Sequence, residues 1–439
     1  MSKLSALYPA HVAELQVRAK NALKRDNLQG IVIHSGQELK IFLDDLSYPF
    51  KANPHFKHWL PLVNIPNSWL IINGEDKPIL IYYQPTDFWH KVIELSESYW
   101  NEFFDIKVLN KASGVDQLLP YDKKGFAYVG AHIEVAQALG FDSINPDTLL
   151  NYLHFHRAYK TSYEQECLRQ SNRIAVMAHK AAKAAFYDGA SEYDIQQAYL
   201  KAAQHTESET PYGNIVALNK NTSILHYTAL EREVPQAHRS FLIDAGANFH
   251  GYASDITRTY SYKRDKFGEL IARMNQLMLN AVDGLQPGKS YVDLHINTYR
   301  DIANVLQEFD YLTVDAEIAA EAGVVSTFFP HGLGHHLGLQ THDVGGFMAD
   351  ERGTHVNTPE NHPFLRTSRV IESEQVFTIE PGLYFIDSLL ADLKQSKNGD
   401  MINWKNVDEM RQFGGIRIED NIIVHQSHNE NMTRDLELD

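Results

Sequence analysis

A chain of 439 residues is too long for one ordinary hydrophobic core, so two domains are expected. A formal charge of -16 at pH 7 argues against nucleic acid or an anionic membrane as partner, because both reward clustered Lys and Arg. No apolar run reaches the roughly 18–20 residues that span a bilayer, Met1–Ala6 leads into a polar helix and not an apolar leader, and the single cysteine, Cys167, excludes an internal disulfide and suits the cytoplasm.

Pro9 to Asn27 places Val12, Leu15, Ala19, Ala22 and Leu23 on one helical face. Gly30–Gly36 reads as a buried strand. Trp69–Ile72 and Ile79–Tyr83 flank the turn signal Asn73-Gly74, and Phe126–Val129 is a further strand ahead of a helical Glu134–Leu139. These elements predict an N-terminal α/β domain with a mixed sheet over residues 1–158, in which no catalytic constellation is visible. The boundary is expected near Arg157–Lys160. Thr161-x-x-Glu164 then has the form of a capping box opening a long helix that Gly189 ends.

Residues 159–439 carry a faint repeat. Gly189-x-Ser191-x-x-Asp194-Ile195 recurs 99 positions later as Gly288-x-Ser290-x-x-Asp293-Leu294, each opening a helix after a helix. Two related α+β halves meeting around one site are the expectation.

The acids in the following strands carry the chemistry. Phe241–Gly246 holds Asp244 among apolar residues, and Tyr252–Tyr260 holds Asp255 among β-formers, with Asn248–Gly251 as the turn between. A hairpin centred between Phe249 and His250 would oppose Asp244 to Asp255, with Cβ atoms about 5 Å apart. Opposed half-buried acids repel, so something positive belongs between them. Arg258 is near, but its position puts it on the other face, and a divalent cation serves better. Val376–Gly382 stops as a strand at Glu380, because Pro381 cannot continue a ladder. Gly415–Val424 puts Arg417 and Glu419 on one face of a strand. Four acids in buried strands are hard to satisfy with hydrogen bonds alone.

Nitrogen comes from Pro330–Asp343, where His331, His335, His336 and His342 fall within twelve positions among glycines. That density points to metal ligation or proton transfer. Without an intervening glutamate it is not the His-Glu-x-x-His helix of zinc proteases. Four carboxylates and an imidazole exceed the needs of one tetrahedral zinc and suit two divalent ions sharing bridging carboxylates. Oxygen-rich ligation favours manganese, with cobalt or zinc as replacements.

Asp, Asp, His, Glu and Glu in these contexts resemble the pita-bread metallopeptidases, the family of methionine aminopeptidase, aminopeptidase P and prolidase, on the side of the bacterial Xaa-Pro dipeptidases and organophosphorus acid anhydrolases. Leu242–Gly246, His331–Asp343, Thr378–Gly382 and Gly415–Glu419 carry the likeness, which extends over essentially the whole chain. The resemblance implies Asp244 on one metal, Asp255 and Glu419 bridging, and His335 (not His336) with Glu380 completing the other shell. It implies His226, His331 and His342 as catalytic histidines, Glu380 as proton shuttle, and Arg366, Arg417, Tyr212 and Leu225 at the substrate. Thr341 precedes His342 where relatives often carry valine, which bears on substrate preference. The implied activity is hydrolysis of dipeptides ending in proline by a homodimer or dimer of dimers, with a side activity on organophosphate triesters and fluoridates. In such a dimer Asp45 or Trp59 would reach a neighbour's pocket. The rivals are an aminopeptidase P accepting longer peptides, a non-catalytic scaffold, and a metal-free creatinase-like enzyme, the last two weakened by retention of all five ligand residues.

Overall fold

The structure is a computed structural model that describes residues 2–438. Contacts divide it into two units, Met1–Cys167 with His250–Tyr252 and Asp350–Thr354, and Leu168–Phe249 with Ala253–Ala349 and His355–Asp439.

The first unit is built on a six-stranded sheet, β1 (Gly30–His34), β2 (Trp69–Ile72), β3 (Ile79–Tyr83), β4 (Asp105–Leu109), β5 (Phe126–Val129) and β6 (Ser143–Ile144), in the order β4-β3-β2-β1-β5-β6. It is mixed, as expected: β1 runs antiparallel to β2 and parallel to β5. Val32, Ile71, Ile81 and Tyr128 are buried on it, which is why these strands read as continuous apolar runs. The first helix, Lys3–Asp26, begins earlier than the Pro9 start expected, because Ser2 caps it by accepting from the Ser5 N–H at 3.2 Å. Trp59, expected on a surface loop, is instead buried in the short Pro54–Trp59 helix, whereas Asp45 is exposed. A buried indole inside its own unit is not available to a neighbour's pocket.

Both arms of the capping box form: Thr161 N–H donates to Glu164 Oε2 at 2.9 Å and Glu164 N–H to Thr161 Oγ1 at 3.4 Å. The helix they open, Ser162–Tyr187, carries the chain into the second unit.

In the second unit the repeat is geometric. Gly189 and Gly288 sit at φ of +83° and +86°. Ser191 caps the Glu192–Ala203 helix through the Asp194 N–H, and Ser290 caps Tyr291–Glu308 through that of Asp293. Each half then supplies a three-stranded sheet. The first is β7 (Ile215–Leu218), β8 (Ser240–Asp244) and β11 (Thr257–Ser261), in the order β11-β8-β7, with the small pair β9 (Asn248–Phe249) and β10 (Tyr252–Ala253). The second is β12 (Val376–Ile379), β15 (Asp420–Val424) and β16 (Asn429–Asn431), in the order β12-β15-β16, with β13 (Gly382–Tyr384) on β14 (Gly415–Arg417). This is the expected α+β pita-bread arrangement. Helices Lys266–Asp283 and Tyr291–Glu308 cover the second half through Leu270, Met274, Leu277 and Ile302, packed with Phe377 and Ile422.

Two local expectations are corrected. The hairpin pairs Asp244 with Thr257, not with Asp255. The turn residues are His250 and Gly251, at φ of 52° and 91°, the two positive values that a two-residue type I′ turn demands, and the register moves by two. A shift of two keeps the face, so Asp255 still shares a side with Asp244, now diagonally. Gly415–Val424 is not one strand. It breaks at Ile418-Glu419 into β14 and β15, which lie in different sheets.

Replacing the Ser290 cap by alanine should lower stability by about 1 kcal/mol without changing metal content. The urea midpoint and elemental analysis of S290A check this together.

Candidate metal centre

Asp244 ends β8, Asp255 lies between β10 and β11, Glu380 follows β12, and Glu419 occupies the break between β14 and β15. Each acid thus sits at or just beyond the end of a strand. Asp255, His335 and Glu419 converge: all three are buried, and one ligand atom from each lies within 4.8 Å of the others. Asp255 Oδ2 is 3.4 Å and Glu380 Oε1 3.6 Å from His335 Nε2. Asp244 joins through Tyr212, whose hydroxyl is 2.8 Å from Asp244 Oδ1 and 2.5 Å from Asp255 Oδ1. All five predicted ligand residues are therefore brought together.

Arg417 is the guanidinium of the cluster. Its Nη2 donates to Asp244 Oδ2 at 2.7 Å, its Nη1 to the Tyr384 hydroxyl at 2.9 Å, and its Nε to Thr257 Oγ1 at 3.2 Å. The Thr257 hydroxyl in turn donates to Glu419 Oε2 at 2.7 Å. Glu419 Oε1 is buried and has no hydrogen-bond partner among the described residues. Arg258 points away, as its strand position requires, to the buried Asp420 at 2.7 Å.

The donors fit divalent cations. His335 Nδ1 lies 2.9 Å from the His336 carbonyl, so it carries a proton and Nε2 faces Asp255 and Glu380. Against the effect of burial, the Asp255 hydrogen bond and the charges of both acids favour a second proton there when no cation is bound. A lone pair facing carboxylate oxygens, beside an orphaned carboxylate oxygen on Glu419, is repulsive unless a cation or extra protons lie between. Within the protein's own atoms, burial pushes the Glu380 carboxyl up to about 7 and, helped by the charges of Asp255 and Glu380, lifts Glu419 well above the carboxylate range. Burial also raises Asp244, against the opposing pull of Arg417.

His336, adjacent to His335, packs edge-on against Phe377 with ring centroids 4.7 Å apart and is 1% exposed. Alternation along the His336–Phe377 bridge turns one histidine to the acids and the next into the core. His331 has both nitrogens engaged, Nδ1 by the Gly332 carbonyl and Nε2 by the Tyr384 hydroxyl, each at 2.8 Å. Burial, then the Arg417 charge, lowers its pKa to about 3, so the ring is neutral. His331 thus contacts Tyr384, which in turn accepts from Arg417. His342 stands at the exposed side with its ring 4.3 Å from that of His335. His226 is exposed, and both it and Arg366 lie close enough for their charges to act on His342. Leu225 is half-buried beside His226. Tyr212, expected at the substrate, has its hydroxyl on the two aspartates.

Sequence reasoning missed Tyr384, Thr257, Thr378 (whose Oγ1 accepts from the His335 N–H at 3.1 Å) and Asn421 (whose Oδ1 accepts from the Asp255 N–H at 3.0 Å). Threonine and tyrosine are ordinary strand formers, so only their place beside the acids could have marked them.

The chain belongs to metallopeptidase family M24: a family model described as "Metallopeptidase family M24" matches residues 166–426, and one described as "Xaa-Pro dipeptidase, N-terminal domain" matches residues 6–155. The Xaa-Pro dipeptidase of Colwellia psychrerythraea is 74% identical over 437 residues, covering 100% of this chain and 99% of that one. The Xaa-Pro dipeptidase of Pseudoalteromonas translucida is 58% identical over 440 residues, covering 100% of both. Among solved structures, the low-pH form of Escherichia coli aminopeptidase P superposes with a TM-score of 0.76 at 23% identity, covering 100% of this chain and 96% of that one, which shows the shared fold.

Protons at Glu380, alongside those at Glu419 and Asp244, should contribute to the stability of metal-free protein. The folded pKa, about 7, exceeds the ordinary value of 4.5, so the unfolded acid ionises first as pH rises. Stability is then lost across that window, by about 3 kcal/mol for this residue. The melting temperature of chelator-treated protein should fall from pH 5 to pH 8, added divalent metal should raise it more at pH 8, and E380Q should flatten the metal-free profile.

Proposed function

We propose that this metallopeptidase hydrolyses dipeptides whose second residue is proline, and that residues 159–439 carry the catalysis. The observation that carries this reading is Arg366. Its guanidinium is exposed, has no acid partner among the described residues, and exerts its charge on both His331 and His342 beside the carboxylate cluster. A free guanidinium at the mouth of a peptidase site suits a substrate carboxylate. A carboxylate held there places the scissile bond one residue inward and leaves no room for a longer peptide.

Asp244 would hold one cation, Asp255 and Glu419 would bridge, and His335 with Glu380 would hold the second. The oxygen-rich set favours manganese, with cobalt or zinc able to replace it. Bound there, the two ions would supply an acidified water near neutral pH and polarisation of the scissile carbonyl. Glu380, held beside His335 and Asp255, can take the proton of the attacking water and pass it to the proline nitrogen. His342 and His226, on the exposed side, are set to donate to the developing oxyanion. Tyr212 keeps Asp244 and Asp255 at fixed separation. Arg417, tied to Tyr384 and Thr257, balances part of the carboxylate charge. The bond before proline is a tertiary amide without an N–H, so a pocket that offers that nitrogen no acceptor loses nothing with proline.

The same arrangement suits a five-coordinate phosphorus transition state, which supports a side activity on organophosphate triesters and fluoridates. The buried, unbridged Cys167 supports action in the cytoplasm, and family likeness supports a homodimer or dimer of dimers. No helix among the described residues is long and apolar enough to cross a membrane.

Chelation should abolish Ala-Pro hydrolysis and manganese should restore it, while Ala-Pro-Ala should be a poor substrate. R366Q should raise KM for Ala-Pro by about 30-fold, the equivalent of about 2 kcal/mol, with a smaller change in kcat. Ready cleavage of the tripeptide, or an unchanged KM in R366Q, would contradict a carboxylate clamp.

A further inference from the structure

Glu192 is the first residue of a helix in the second unit, directly after the capping Ser191, and is 1% exposed. Its carboxylate meets four donors, none of them a cation. Oε1 accepts from the Leu218 N–H at 2.7 Å and from Asn221 Nδ2 at 2.9 Å. Oε2 accepts from the Tyr227 hydroxyl at 2.6 Å and from the Glu231 N–H at 2.8 Å. All four donors belong to the segment that leaves β7 and carries His226. One buried acid therefore closes that loop on itself from residue 218 to residue 231, and it grips the neighbour of His226 by its phenol. Hydrogen bonds to a carboxylate are roughly twice as strong as those between neutral groups.

The corresponding position in the other half repeats the theme with different chemistry. Tyr291 follows the capping Ser290 and reaches the site from the opposite side. Its hydroxyl lies 3.4 Å from the Thr378 carbonyl, and a Cβ on Gly334 would come within 2.7 Å of it. In both halves the residue after the cap turns inward, Glu192 onto the segment that bears His226 and Tyr291 onto the Thr378 carbonyl of β12.

We propose that Glu192 is a positioning residue for His226, its carboxylate folding residues 218–231 into the one conformation that holds the exposed imidazole beside His342. This rests on the reading of His226 as a catalytic group. The loop is also tied down at Thr222, whose hydroxyl donates to the Phe413 carbonyl at 2.8 Å, and the Tyr227 ring packs with Ile215, Ala217 and Leu242. The phenol next to His226, however, is held by Glu192 and by Asn221, which Glu192 also holds. Glutamine at 192 keeps the shape but replaces one oxygen with an amide NH2. Whichever way the amide turns, a donor then faces a backbone N–H, from Leu218 or from Glu231.

The test is Ala-Pro hydrolysis by the manganese-loaded full chain, with metal content and melting temperature measured in parallel, for H226Q, E192Q and the double variant. The expected result is a loss in kcat of about tenfold or more in E192Q at unchanged metal content, and a double variant no slower than H226Q alone. Full activity in E192Q, or losses that multiply in the double variant, would overturn the proposal. If E192Q does not fold, Y227F, which removes one of the four bonds, takes its place under the same comparison. A silent H226Q would instead remove the catalytic reading of His226. Tryptic cleavage at Arg232 then decides for Glu192: faster cutting in E192Q keeps the anchor, and an unchanged rate removes it.

Discussion

The proton on His335 Nδ1 is committed to a backbone carbonyl, and this single hydrogen bond sets the character of the site. It fixes the ring so that Nε2 looks onto carboxylate oxygens of Asp255 and Glu380. Four acids gather there with one guanidinium, that of Arg417, hydrogen-bonded to Asp244. A protein interior does not tolerate that imbalance without protons or metal ions, and cations are the solution that leaves every ligand ionised at neutral pH. The surrounding hydroxyls and amides then have a plain task. Thr257, Tyr212, Thr378 and Asn421 hold the ligands or their backbone at fixed angles, so that binding a cation requires little further ordering.

The two halves divide the labour. The first half contributes both aspartates from the β8–β11 hairpin, and the second contributes the histidine and both glutamates. They are joined through the backbone where Glu419 N–H donates to the Thr257 carbonyl at 3.0 Å and Ala253 N–H to the Gly338 carbonyl at 2.9 Å. The hydroxyl of Thr257 also serves Glu419 and Arg417 at once. Neither half holds all five acid and histidine residues of the cluster. Its assembly thus depends on the pairing of two sheets whose strands lie more than a hundred residues apart in sequence.

Much of this was legible in the sequence because the acids violate the burial rules of the strands that hold them. Asp244, Asp255, Glu380 and Glu419 stand out among Ile, Leu and Phe, and no local pairing explains them. The hairpin register was read wrongly by two residues, since Asn248-Phe249-His250-Gly251 allows two turn placements and histidine is not the usual occupant of a positive φ. Asp255 nonetheless stays on the side of Asp244, because side chains alternate with period two. The break at Ile418-Glu419 was hidden by a run of β-formers that suits two short strands as well as one long one. Glu192 was illegible for a different reason: an acid after a serine cap is an ordinary feature of a helix start, and only the fold reveals that it is buried. Tyr384 carried no sequence signal either, yet it links His331 to Arg417.

Gly334 sets a limit on how this centre can change. Its backbone lies at φ +156°, and a Cβ there would come within 2.1 Å of the Thr378 carbonyl. The histidine segment therefore rests flush on β12, with no gap into which a bulkier side chain could be absorbed. Any drift towards a larger or smaller ion has to be met by the reach of the ligand side chains, because the main chain on that side is already at its closest approach. Evolution or design seeking a new metal preference is steered to the carboxylates and the groups that orient them, and away from the loop that supplies the nitrogen.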